Sequence, residues 1–394
     1  GQGVALMQGA SAYIQGLSAL FSFRGPCGPF FVFGQKSRFV RFLFCGIGYY
    51  FPLVSRWGMT MTWKVHEVHG RLYPDQGWTP AKVILEDEKH LHDADHPEAN
   101  GWPIWHFRHT RPTEGSGSGV LPDCPIVDVH THAWVDSFAP RMRAYFGDNF
   151  GATAFNPGTL DGVRERKREL GVTKSVILPV PTNPRQVPQF NDWLQDYTDD
   201  PDIVPFMSVV RDMDDPVAEI HRCAKLGFKG MKLHPVNQHF KMSDPKMFPI
   251  YEAAIEENMV ILFHTGSGID YPTVGPDWDC SPVEIDRFFN KFPYERTVLA
   301  HLGGSVPDFT HPPELHPEWP GYMDTAFQIG HIANDDFLRI VREYGTTRIL
   351  FGTDSPWEDT ADFLTRLAHI GLTDSELRDI LYRNANTLLD LGLE

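Results

Sequence analysis

Ile126-Val127-Asp128-Val129-His130-Thr131-His132 is a short apolar run that ends in two histidines two positions apart. Strand side chains alternate between faces, so His130 and His132 project the same way from one strand end. Neutral imidazoles at that spacing can chelate one ion.

Outward from this run, short apolar stretches alternate with longer amphipathic ones, as a parallel sheet wrapped by helices requires. Eight such runs can be counted: 126–130, 175–180, 203–209, 230–234, 260–264, 297–301, 322–327 and 348–354. The intervening helices are clearest at 216–226, 248–258, 282–291, 335–344 and 360–369, with a final helix from Asp374. Eight runs predict an α/β protein with a (β/α)8 TIM barrel over residues 124–394 and an N-terminal appendage. In such barrels the chemistry gathers at the carboxyl ends of the strands.

Those ends carry metal-binding types of residue. The fifth run ends in His264, the sixth in His301 and the eighth in Asp354. A single histidine at a strand end is more often a satisfied polar cap than a ligand. Four histidines and an aspartate on four strand ends of one eight-run pattern point to a metal site.

Five motifs carry a resemblance: Val127-Asp128-Val129-His130-Thr131-His132, Phe228-Lys229-Gly230-Met231-Lys232-Leu233-His234-Pro235, Leu262-Phe263-His264-Thr265-Gly266, Ala300-His301-Leu302-Gly303-Gly304 and Phe351-Gly352-Thr353-Asp354-Ser355-Pro356-Trp357. Together with Asn384-Ala385-Asn386-Thr387-Leu388-Leu389 they resemble the amidohydrolase superfamily over about residues 124–391. The branch is the one that includes aminocarboxymuconate-semialdehyde decarboxylase and related metal-dependent hydrolases. The resemblance implies that His130, His132 and His264 bind a divalent ion, with Asp354 as ligand and as partner to the bound water. It also implies that His301 is the acid–base histidine. Zinc is the first expectation from the imidazole-rich shell, and manganese or iron fits an imidazole and carboxylate site too.

Lys232 and His234 on the fourth run share a face, the one expected to point into the barrel mouth. In binuclear members of the superfamily a carboxylated lysine at this place bridges two ions. The plainer reading, preferred here, is one ion, with Lys232 as an ammonium that contacts a substrate carboxylate or Asp354. His234 is read equally as a substrate contact or as a strand-end residue bonded to backbone. Lys-Leu-His-Pro on this strand tilts the expectation toward hydrolysis.

The stretches 181–190, 270–282 and 305–321 are expected as long loops walling the mouth. Arg185 is read as a surface arginine, with a carboxylate clamp as the alternative. Trp278 and Trp357 either stack on a substrate ring or pack. His311 and His316 are assigned to the loop surface. The His-rich run from His90 to His96, with His106 and His109, is read as a solvated loop in preference to a second metal site.

Before the barrel the chain changes in kind. Up to His66 there is no Asp or Glu, only Arg24, Lys36, Arg38, Arg41, Arg56 and Lys64, which leaves 29 basic against 51 acidic residues for the rest. Residues 1–58 are expected as a poorly ordered or membrane-associated extension, with Met59 as an alternative start. Their apolar patches, 12–23 and 39–54, are too short or too interrupted for a confident membrane span. Residues 59–112 are expected as a small β appendage, from alternation at 62–68 and an apolar run at 81–85, and 113–123 as a flexible linker.

The acidic body, at a formal net charge of -16, repels phosphate backbones, so nucleic acid is set aside as a partner. Cys27, Cys45, Cys124, Cys223 and Cys280 include no CxxC pair, which makes the cytoplasm the default compartment. The resemblance also implies a homodimer. The first functional expectation is hydrolysis of a small ester, lactone or amide, the substrate bearing a carboxylate, by a metal-activated water. The second is nonoxidative decarboxylation of an aromatic or muconate-like acid, and the third is an inactive barrel that binds.

Overall fold

A computed structural model describes residues 116–150, 154–266, 280–304, 316–329, 332 and 334–394, and short strand segments before residue 110. The chain divides into two compact units, residues 1–110 with 147–151, and residues 111–146 with 152–394.

In the first unit the described backbone before residue 110 is strand. Phe31–Phe33 pairs with Val40–Phe42, Tyr49–Val54 with Thr60–Val65, and the latter with Tyr73–Pro74, all antiparallel. Lys82–Val83 pairs antiparallel with Phe107–Arg108. The His-rich run at 90–96, His106 and His109 lie outside the described residues. Among the described residues no helix is long and apolar enough to cross a membrane.

The second unit carries all eight expected strands: β1 Val127–Thr131, β2 Lys174–Ile177, β3 Ile203–Pro205, β4 Gly230–Leu233, β5 Val260–Phe263, β6 Thr297–Leu299, β7 Tyr322–Asp324 and β8 Ile349–Leu350. Every neighbouring pair is parallel, in one sheet ordered β3-β2-β1 and another ordered β4-β5-β6-β7-β8. The two seams carry an isolated bridge each, Met207 with Met231 and Thr131 with Ser355. Backbone bonds support them: Lys232 N–H donates to the Met207 carbonyl at 2.9 Å, and Asp354 N–H to that of His130 at 2.9 Å. Helices separate the strands, as a right-handed β-α-β run of parallel strands demands. Two of them, Pro216–Lys225 and Thr360–His369, start on Asp215 and Asp359, whose carboxylates accept orphan N–H groups.

The interior is apolar where the sequence alternates. Val127, Val129, Val176, Leu178, Val204, Phe206, Leu262, Val298 and Leu350 form one buried cluster, to which Ala385, Leu388 and Leu389 of the last helix contribute. Each such side chain gains about 1.5–3 kcal/mol on burial. Gly230 admits the Phe206 ring, since a Cβ there would lie 2.4 Å from it. The β1–β2 register slips by one residue between Asp128 and Thr131. A one-residue slip flips side chains between faces. Val127 and Val129 therefore share the interior with β2, while His130 and His132, of opposite parity, still reach the mouth.

Two expectations change, and a third lies mostly outside the described residues. Residues 186–194 form a helix, so the wall expected at 181–190 is only a short loop before Gln186–Leu194. The walls at 270–282 and 305–321 lie mostly outside the described residues. The Gly-Ser stretch reads as flexible by composition, yet Gly117 N–H and Gly119 N–H donate to the carbonyls of His369 and Ala368, both at 3.1 Å. Those are orphan carbonyls at the end of Thr360–His369, and the stretch closes that helix.

Candidate metal centre

His130, His132 and Asp354 meet at the mouth, with one ligand-type atom of each within 4.8 Å of the others. His132 Nε2 is 3.1 Å from Asp354 Oδ1, and His130 Nε2 is 3.5 Å from it. Both histidines are turned by their far nitrogens. His130 Nδ1–H donates to Asp324 Oδ2 at 2.7 Å, and His132 Nδ1–H donates to the Leu178 carbonyl at 2.8 Å. With the proton on Nδ1, each Nε2 presents a lone pair to the same point. A carbonyl or carboxylate behind a ligating histidine fixes its tautomer and ring orientation. The donor set is that of a divalent-ion site.

The backbone is bent to make this possible. Asp354 has φ 72° and His301 φ 56°, left-handed conformations that non-glycine residues adopt at a cost and that gather at functional sites. Gly352 sits where a Cβ would lie 2.9 Å from the His130 Cβ. Glycine therefore precedes Thr353 and Asp354 because the His130 Cβ passes too close for anything larger.

Lys232 stands beside the triad, its Nζ 3.4 Å from His130 Nε2, and is fully buried. Burial pulls its ammonium down to about 8, against the attraction of Asp324 and Asp354. Burial, and then the Lys232 charge, push the His130 imidazole well below its ordinary value, so it stays neutral. Burial opposes ionisation of Asp354, but its electrostatic interactions with the adjoining His130, His132 and His301 rings and the His132 hydrogen bond outweigh it and hold the carboxyl well below the usual range.

His264 and His301 form an adjoining pair, with His301 Nε2 3.0 Å from His264 Nδ1. His301 Nδ1–H donates to the Ala326 carbonyl at 3.0 Å, and burial lowers its pKa despite Asp354 and Asp324. The His130 and His301 ring centres are 5.1 Å apart. His264 stands one residue back from the triad.

The remaining candidates separate. His234 stacks on His264 at 3.9 Å and 9°, and its Nδ1 accepts the Asn237 N–H at 3.3 Å. It caps Pro235–Gln238. Arg185 is exposed, just before Gln186–Leu194, and Trp278 lies outside the described residues. Trp357 is half-buried on Phe146, ring centres 4.4 Å apart, within a cluster that includes Trp134. His132 in turn stacks on Trp134 at 6.3 Å. His316 lies partly buried, stacked on Trp319 and 3.1 Å from Glu318, while His311 is outside the described residues.

The sequence reading passed over Asp324 and Asp128. Asp324 ends β7 and is fully buried, and burial raises its carboxyl against the pull of His301. Asp128 accepts from His130 N–H and Thr353 N–H, both at 3.1 Å, and from Thr353 Oγ at 2.6 Å. Burial, partly offset by the Thr353 bonds, raises its pKa to about 7. Asp324 ends the strand but lies inside the run counted at 322–327, so the rule that found His264 missed it. Asp128 was missed because the register slip hides its direction.

The family model for amidohydrolases matches residues 127–391. Among solved structures the chain is similar to 5-carboxyvanillate decarboxylase from Sphingomonas paucimobilis, at 14% identity over 68% of this chain and 99% of that one, TM-score 0.53. It is likewise similar to dihydroxybenzoic acid decarboxylase from Polaromonas sp. JS666, a structure with bound manganese and the inhibitor 2-nitroresorcinol. There the identity is 17%, over 68% and 98% of the chains, with TM-score 0.53. A Pseudomonas putida protein provisionally assigned as a 2-pyrone-4,6-dicarboxylic acid hydrolase matches at 15% identity over 69% and 100%, TM-score 0.51. At these identities the likeness carries the fold.

Proposed function

We propose, from the premise that this chain belongs to the amidohydrolase family, that it is a metal-dependent enzyme removing CO2 without oxidation from a small hydroxylated aromatic acid. The observation that carries the proposal is the convergence of His130, His132 and Asp354 beside the buried Lys232 ammonium. Mixed imidazole and carboxylate donors suit a divalent ion of the manganese or zinc kind, and one ion is the simplest occupancy. Manganese in the Polaromonas decarboxylase supports manganese over zinc here. His130, His132 and Asp354 would hold the ion, with His264 next in reach. Bound there, the ion would polarise the carboxylate and hydroxyl oxygens of the acid.

The side chains divide the remaining work. Lys232 would receive an anionic oxygen of the substrate, and at neutral pH it is protonated yet within a unit or so of release. His301, neutral and fixed through its Nδ1–H, would take the hydroxyl proton at Nε2. The resulting phenolate pushes electron density to the carbon that bears the carboxylate, and the Lys232 ammonium protonates that carbon. The C–C bond then breaks, its electron pair restoring the ring as CO2 leaves. His301 returns its proton to the phenolate, and solvent reprotonates Lys232, so one proton is consumed per CO2 released.

Hydrolysis of a carboxylated lactone is the second reading. Lys232 on β4 and the likeness to the Pseudomonas putida protein favour it. The experiment is a panel assay on manganese-loaded protein. CO2 release from hydroxybenzoates with no acid release from lactones supports decarboxylation. Acid release from lactones without CO2 release refutes it.

A further inference from the structure

We propose that Asp324 is a positioning residue that sets the tautomer of His130 and the aim of His301 together. The proposal rests on the reading of His130 as a metal ligand.

Asp324 is fully buried at the end of β7, and its two oxygens face two different partners. Oδ2 accepts Nδ1–H of His130 at 2.7 Å. Oδ1 accepts the backbone N–H of His301 at 2.9 Å and that of Ala326 at 3.0 Å. With Oδ1 already accepting two backbone N–H groups, Oδ2 is placed to accept Nδ1–H of His130, which leaves Nε2 bare. Only a bare nitrogen can bind a metal. The same carboxylate holds the Ala326 peptide, whose carbonyl accepts Nδ1–H of His301. It also holds the His301 backbone in its left-handed turn. A strand-end cap would need Oδ1 alone, and the bond from Oδ2 to His130 is what a capping role leaves unexplained.

Asp324→Asn isolates this role. The carboxamide has the same shape, and its carbonyl oxygen is claimed by the two backbone N–H groups. The NH2 then faces His130 Nδ1, which has to accept, and the ring proton moves to Nε2 on the metal side. Loss of a partner behind a ligating histidine typically weakens metal binding 10- to 100-fold.

The test uses metal-free full-length protein with 15N-labelled histidine and long-range 15N–1H correlation spectra, His130 being assigned by its loss in His130→Ala. The Mn2+ dissociation constant is measured alongside. The expected result is Nδ1–H for His130 and His301 in the wild type, Nε2–H for His130 in Asp324→Asn, and Mn2+ binding weakened about 10- to 100-fold. A wild-type His130 in the Nε2–H form overturns the proposal whether or not the variant folds. So does a folded Asp324→Asn that keeps Nδ1–H on His130 and the wild-type Mn2+ affinity. If the wild type binds no Mn2+, the metal reading of His130 falls, while the spectra still decide the tautomer.

Discussion

Replacing Lys232 with methionine should stabilise the metal-free protein while crippling it as an enzyme. The side chain is fully buried, and burial lowers its pKa from 10.5 to about 8. A folded-state value below the unfolded one means that the unfolded chain binds more protons between those two pH values. The cost is therefore fully present below pH 8 and is relieved as pH rises toward 10.5. A shift of that size corresponds to about 3 kcal/mol. Methionine keeps the length of the stem without the charge, so the metal-free Lys232→Met protein should gain a cost of that order at pH 7, a rise in Tm of roughly 6 °C. It should also lose the rise in stability between pH 8 and 10.5. Activity should move the other way. Loss of a charge-assisted contact and of a proton donor should cut kcat at least about 100-fold. If Lys232 only binds the substrate carboxylate, KM rises and kcat is retained. The assays are thermal or urea unfolding of chelator-treated protein against pH, and steady-state kinetics on the loaded enzyme. A variant that melts below the wild type at pH 7, or that keeps the alkaline slope, would refute the reasoning.

Other consequences are local. Gly352→Ala places a methyl group 2.9 Å from the His130 Cβ, and Mn2+ titration should show affinity lowered about 10-fold or more, because His130 must shift. Unchanged affinity would mean that His130 is not held by that contact. Glu376, paired with Arg342 and closing the capping box with Thr373, has its carboxyl drawn down to about 2, chiefly by the Arg342 hydrogen bond. A depressed carboxylate stabilises above its unfolded pKa, and the benefit is lost as pH falls from about 4.5 toward 2. Water screens the half-exposed Arg342, so Glu376→Gln should cost about 1 kcal/mol at pH 7, and the gap to wild type should close by pH 2 in urea unfolding. A gap independent of pH would place the effect in the cap alone.

The barrel was legible because its strands are short apolar runs whose length and spacing survive without any structure. The seventh run, counted at 322–327, is strand only over Tyr322–Asp324. His130, His132 and Asp354 were legible for a related reason: a polar residue that closes an apolar strand stands at the mouth. What sits behind them was not. Asp324 acts through which nitrogen of His130 it touches, and Asp128 through a register slip, and neither is a property of spacing. His234 shows the converse, since strand parity sends it to the mouth but a four-residue helix turns it into a cap. The tilt toward hydrolysis leaned on that motif. The third reading, a barrel without chemistry, is not that of an enzyme family.

Metal stoichiometry tests the central claim most directly. Mn2+ titration of chelator-treated full-length protein, followed by electron paramagnetic resonance, should show one tight ion per chain in the wild type and none in the His130→Ala, His132→Ala double variant. Two tight ions would contradict the single-ion reading and make Lys232 a bridging ligand. Binding that survives in the folded double variant would contradict the assignment of the centre to His130, His132 and Asp354.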